Sequence, residues 1–103
     1  MKKAVVFAAL IGLMATPALA EDGAALYASK TCAACHGADG KKTLMPNYPK
    51  IAGQNAAYLE AQMADIKSGK RNNGQTAAMK GVMHLVDDAQ IKVLADYISK
   101  MAP

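Results

Sequence analysis

TCAACHG, residues Thr31 to Gly37, holds both cysteines of this 103-residue chain and one of its two histidines. Cys32 and Cys35 are three apart and His36 follows directly. Residues three apart on a helical turn share a face. Two sulfurs can therefore be presented to one flat object while an imidazole projects from the next position. A disulfide, a zinc corner, a redox-active dithiol and a covalently held haem each use part of this string, and the rest of the chain decides between them.

The first twenty residues read as an export signal. Lys2 and Lys3 form a positive start, AVVFAALIGLM is an apolar run too short to span a bilayer, and Ala18-Leu19-Ala20 is a small-x-small cleavage pattern. An uncleaved anchor or a buried first helix is the competing reading. Cleavage after Ala20 leaves a mature domain of residues 21–103, exported to the periplasm, an oxidising compartment. The whole chain carries a formal charge of +4; without Lys2 and Lys3, ten Lys/Arg face eight Asp/Glu, a balance of +2. With no arginine-rich stretch and no basic–aromatic interleaving, nucleic acid is not an expected partner. The only Phe, Phe7, lies in the leader, there is no Trp, and four tyrosines are the mature aromatics. A domain this small needs a staple, and a disulfide across two intervening residues closes too short a loop to supply one.

Along the mature chain the pattern is all-α, with three main helices separated by loops and no sustained alternation of period two. EDGAALYASKT is alanine-rich and runs into the cysteine pair; GADGKKTLMPNYPKIAG is loop on its Gly, Pro and Asn content. NAAYLEAQMADIKSG is a helix, with Asn55 as N-cap, Leu59, Met63 and Ile66 on one stripe, and Gly69 as its stop. KRNNGQTAAMKGVMHLV reads as a second loop region with at most a short helical turn. The last helix starts at Asp87 with Gln90 as capping-box partner, and Ile91, Leu94, Ala95, Ile98 and Met101 face inward.

Zinc requires four ligands, and adjacent Cys35 and His36 converge poorly on one ion. A thioredoxin-like dithiol requires a βαβ context that the pattern lacks. C-x-x-C-H is the attachment signal for c-type haem. In that reading two thioethers from Cys32 and Cys35 hold one haem c, and His36 supplies an axial nitrogen to iron. The sixth iron position has several candidates: His84 and Met45, Met63, Met79, Met83 and Met101. Met63 and Met101 fit helical core stripes, and His84 fits a solvent-facing loop. Met45 is within chain reach, since nine residues extend roughly 30 Å. Met79 and Met83 precede the last helix four residues apart, and spacing alone does not separate them.

DGAALY leading to CAACHGADG, then YPKIAGQNAAYLEAQMADIKSGKR, then MKGVMHLVDDAQIKVLADYISK, together resemble the small class I c-type cytochromes of the bacterial cytochrome c-553, c5 and c4-like branch. The resemblance covers most of the chain and implies the class I cytochrome c fold, with helices and loops wrapped around one covalent haem. In such proteins the ligand methionine precedes a helix of the form L-S-D-x-x-I/L-x-x-L-A-x-Y. Here that segment is LVDDAQIKVLADY, and the spacing back from Asp88 selects Met79 over Met83; Asp87 replaces the usual serine cap. The resemblance further implies that the Pro49 carbonyl holds the Nδ1 proton of His36. It also implies that Gly23 and Tyr27 cross the last helix near Leu94 and Tyr97.

A His36/Met79 pair saturates the iron, so the expected function is one-electron carriage between redox partners such as an oxidase, a reductase or another cytochrome, with no catalysis by the chain itself. Thioether sulfur favours Fe(II) and raises the potential relative to a bis-histidine haem. Lys41, Lys42, Lys67, Lys70, Arg71 and Lys80 fall in loops or at helix ends, where they either steer acidic partners to the haem edge or form an ordinary solvated surface. The rival readings are a gas-binding or peroxidase-like haem protein with an open sixth position, and a thiol–disulfide enzyme.

Overall fold

The computed structural model describes residues 21–103. The expected leader and its cleavage site at Ala20 lie outside the described residues. Five helices follow in order: α1 Gly23–Ser29, α2 Cys32–His36, α3 Ala56–Ser68, α4 Thr76–Met83 and α5 Asp88–Ser99. No strand occurs among the described residues, and none of their helices is long and apolar enough to cross a membrane.

Helix ends follow local side-chain chemistry. The Asp22 carboxylate accepts from the Ala24 N–H at the start of α1, and Asn55 accepts from the Tyr58 N–H at the start of α3. Gly69 ends α3 at φ 90°, a left-handed conformation that glycine adopts without a Cβ penalty. Asp87 and Gln90 form the reciprocal capping box at α5, with bonds of 2.8 and 3.0 Å.

α3 and α5 pack on each other and make the centre of the core. Leu59, Met63 and Ile66 on α3 and Ile91, Leu94, Ala95 and Ile98 on α5 are all buried. α1 crosses α5 at close range: a Cβ built on Gly23 would stand 2.6 Å from Tyr97 Cβ. The Tyr27 and Tyr97 rings meet there with centroids 5.7 Å apart, tilted at 51°.

Two features depart from the pattern read in the sequence. The first segment does not run continuously into the cysteines: the chain turns at Thr31, φ 64°, and restarts as the single turn α2. The stretch after Arg71 is also more ordered than its Asn and Gly content suggested. Thr76–Met83 is an eight-residue helix, in which Thr76 and Met83 are buried. Its centre, Ala77-Ala78-Met79-Lys80, consists of good helix formers, and burial of Met83 against α3 and α5 stabilises what so short a segment could not hold alone.

A candidate haem cavity

α2 is one turn long, and it places Cys32, Cys35 and His36 on the wall of one cavity of about 300 Å³. The opposing wall comes from α4 and includes Ala78, Met79, Val82 and Met83. Leu59, Met63 and Ile66 of α3 and Ile98 of α5 form the floor.

The loop between α2 and α3 folds back on the cysteine turn. The Leu44 N–H donates to the Cys35 carbonyl at 2.9 Å, and the Ile51 N–H donates to the Gly40 carbonyl at 2.9 Å. Gly37, at φ 90°, tolerates no side chain, because a Cβ would lie 2.6 Å from the Lys42 carbonyl oxygen. The Asp39 carboxylate accepts from the backbone N–H groups of Lys41 and Lys42, which lowers its pKa. This loop carries Pro49 to the cysteine turn, where His36 Nδ1 lies 2.9 Å from the Pro49 carbonyl oxygen.

A carbonyl only accepts, so the His36 proton sits on Nδ1 and Nε2 keeps its lone pair. His36 is buried at 6% exposure and lines the cavity, the condition for a nitrogen ligand. Tyr27 anchors the same turn from α1, its hydroxyl donating to the Gly37 carbonyl at 2.7 Å. Burial pushes the Tyr27 hydroxyl up to about 12. Burial also pushes the Cys32 thiol up to about 11. That is opposite to the acidic thiol on which disulfide exchange depends.

The sulfur and imidazole donors sort by position. Met79, Met83 and Met63 line the cavity, whereas Met45, Met101 and His84 do not. Met45 is 46% exposed on the loop, Met101 follows α5 with its sulfur near Gly40, and His84 is an exposed residue at the end of α4. Met83 is 1% exposed and closed in by protein, together with Val86 and Leu94. Met79, one turn earlier, is only half-buried and keeps surface that a ligand could cover. Arg71 was read with the surface lysines, yet it lines this cavity beside Gln62. Its place on the loop after α3 carries no periodic signal that would have shown this.

The donor set fits haem: two thiols three apart, a histidine with a free Nε2, and a methionine sulfur across an apolar space. Comparison with known proteins agrees. The Cytochrome c family model matches residues 20–102. Cytochrome c-553 of Nitratidesulfovibrio vulgaris is 38% identical over 84 residues, covering 82% of this chain and 80% of its own. Cytochrome c4 of Pseudomonas aeruginosa is 41% identical over 90 residues, covering 86% of this chain but 43% of its own. The crystal structure of reduced recombinant cytochrome c4 from Pseudomonas stutzeri superposes with a TM-score of 0.68 at 31% identity, over 78% of this chain and 46% of that one. The chain thus spans most of a cytochrome c-553 and less than half of a cytochrome c4. A C-x-x-C-H turn facing methionines across a helical cavity, with a family match over nearly all the described residues, places this chain in the cytochrome c family, with the class I cytochrome c fold.

Proposed function

We propose that the chain is a periplasmic one-electron carrier whose mature domain, residues 21–103, holds one haem c between α2 and α4. The observation that carries this reading is the convergence of Cys32, Cys35, His36 and Met79 on one cavity. Cys32 and Cys35 would hold the cofactor through two thioethers, each thiol adding its sulfur and its hydrogen across one vinyl double bond. His36 would ligate through Nε2 from one side and Met79 through sulfur from the other. Haem bound there supplies a one-electron iron couple at a potential raised by the thioether ligand.

The remaining work belongs to the chain. Pro49 fixes the tautomer and plane of His36. Leu59, Met63, Ile66 and Ile98 exclude water from the cavity floor. A ligand held from both sides by packed helices needs little rearrangement when its charge changes, which suits a carrier. Partners would be redox proteins docking where the cavity opens to the surface.

The test is mass spectrometry and optical spectroscopy of protein exported from cells that mature c-type cytochromes. The expected result is a mass increase of one haem on the chain cleaved after Ala20. It is joined by a low-spin spectrum with the sulfur-to-iron charge-transfer band in the oxidised form. High-spin iron that binds CO readily on reduction would instead establish the open-site reading. A chain without haem and with exchangeable thiols would establish the thiol–disulfide one.

A further inference from the structure

Among the residues lining the cavity, Arg71 is the only Lys, Arg, Asp or Glu. It stands on the loop after α3, half-buried, and its Nη1 donates to Gln62 Oε1 at 3.2 Å. Among the described residues no carboxylate lies within 4.0 Å of its guanidinium, and residues 1–20 contain no Asp or Glu. Gln62 occupies one of five guanidinium donors. A permanent cation at the wall of an apolar cavity is costly unless an anion pairs with it. The planar fork of arginine matches a carboxylate through two parallel bonds. Tyr48, Asn73 and Gln75 line the same cavity and add hydrogen-bonding groups to a wall that is otherwise largely apolar.

The geometry points to Arg71, oriented by Gln62, as the residue that binds a propionate carboxylate of the cofactor. This rests on the haem reading above and extends it from the iron ligands to the anionic edge of the ring. Two consequences follow. The carboxylate end is anchored on the α3 side, which sets the rotation of the ring relative to α2. The guanidinium also places a fixed positive charge beside the redox centre, and that charge favours the reduced form.

Arg71 also has a structural part, since its backbone N–H donates to the Asp65 carbonyl at 3.0 Å. The test must therefore read the carboxylate itself. Arg71→Gln, Arg71→Lys and Gln62→Leu are made in the haem-loaded protein. The propionate bending mode in resonance Raman and the midpoint potential by voltammetry are recorded for each. Arg71→Gln is expected to shift the bending mode and lower the potential. Arg71→Lys regains most of the potential, by restoring the charge, without the wild-type Raman position, which needs the fork. Gln62→Leu shifts the Raman mode while the potential changes less than in Arg71→Gln. A wild-type Raman mode and potential in Arg71→Gln, with covalent haem confirmed by mass, overturn the assignment while leaving the haem reading intact. Should Arg71→Gln fail to accumulate, an unchanged Raman mode in Arg71→Lys overturns it equally. A wild-type chain that matures without a haem-sized mass overturns both.

Discussion

His36 Nδ1 and the Pro49 carbonyl oxygen stand 2.9 Å apart across thirteen residues of chain. This bond ties the loop that follows α2 back to the histidine within α2. It leaves Nε2 as the only imidazole nitrogen available to a metal. It also draws density onto the ring, making the imidazole a stronger donor.

Pro49→Gly frees the loop and weakens that bond. A less basic imidazole stabilises Fe(III) less, so the potential of the loaded protein should rise, with little change in the oxidised charge-transfer band. Voltammetry beside the optical spectrum checks it. An unchanged potential would show that the carbonyl holds its place without the proline ring.

Met79 and Met83 share one face of α4, but protein encloses only Met83 almost completely. Met79→Ala should abolish the sulfur-to-iron band and lower the potential markedly at modest cost in stability. Met83→Ala should keep the band and lose about 2–5 kcal/mol, the usual cost of truncating a buried methionine. Chemical denaturation and absorption spectra of both variants separate the two roles. Loss of the band in Met83→Ala alone would transfer the ligand assignment to that residue.

Gly23 meets Tyr97 so closely that even a methyl group must push the ring or the helix aside. Gly23→Val should destabilise the fold by about 1–3 kcal/mol through overpacking, lowering Tm by roughly 5 °C or more for a domain of this size. The iron ligands lie elsewhere, so the optical spectrum of the folded protein should not change. Calorimetry with parallel spectra tests both halves.

Tyr27 donates to the Gly37 carbonyl from a buried position, and burial raises its hydroxyl pKa from 10.0 to about 12. The unfolded chain then loses this proton before the folded chain does. Stability from this group is full below pH 10 and declines as pH rises from about 10 to about 12. Tyr27→Phe should lower stability at neutral pH by about 1 kcal/mol, for one lost hydrogen bond, and flatten the alkaline decline. Denaturation midpoints from pH 8 to 12, followed by far-ultraviolet circular dichroism, supply the comparison. Parallel declines in the two proteins would assign the alkaline loss to another group.

The sequence by itself determined the features that are local. Capping by Asn55, the Gly69 stop and the Asp87/Gln90 box depend on neighbours within a few residues, so α3 and α5 were legible with their inward stripes. The C-x-x-C-H string carried its own geometry as well, because one helical turn sets the relation of Cys32, Cys35 and His36. α4 was not legible, since eight residues with weak capping are helical only when Met83 and Thr76 are buried by other elements. Spacing also could not distinguish Met79 from Met83, or separate Arg71 from the surface lysines. Those distinctions depend on which atoms the packing of α3, α4 and α5 leaves facing the cavity. Enclosure of a side chain by distant segments, unlike a cap or a turn, leaves no mark in neighbouring residues, so only the tertiary structure could decide it.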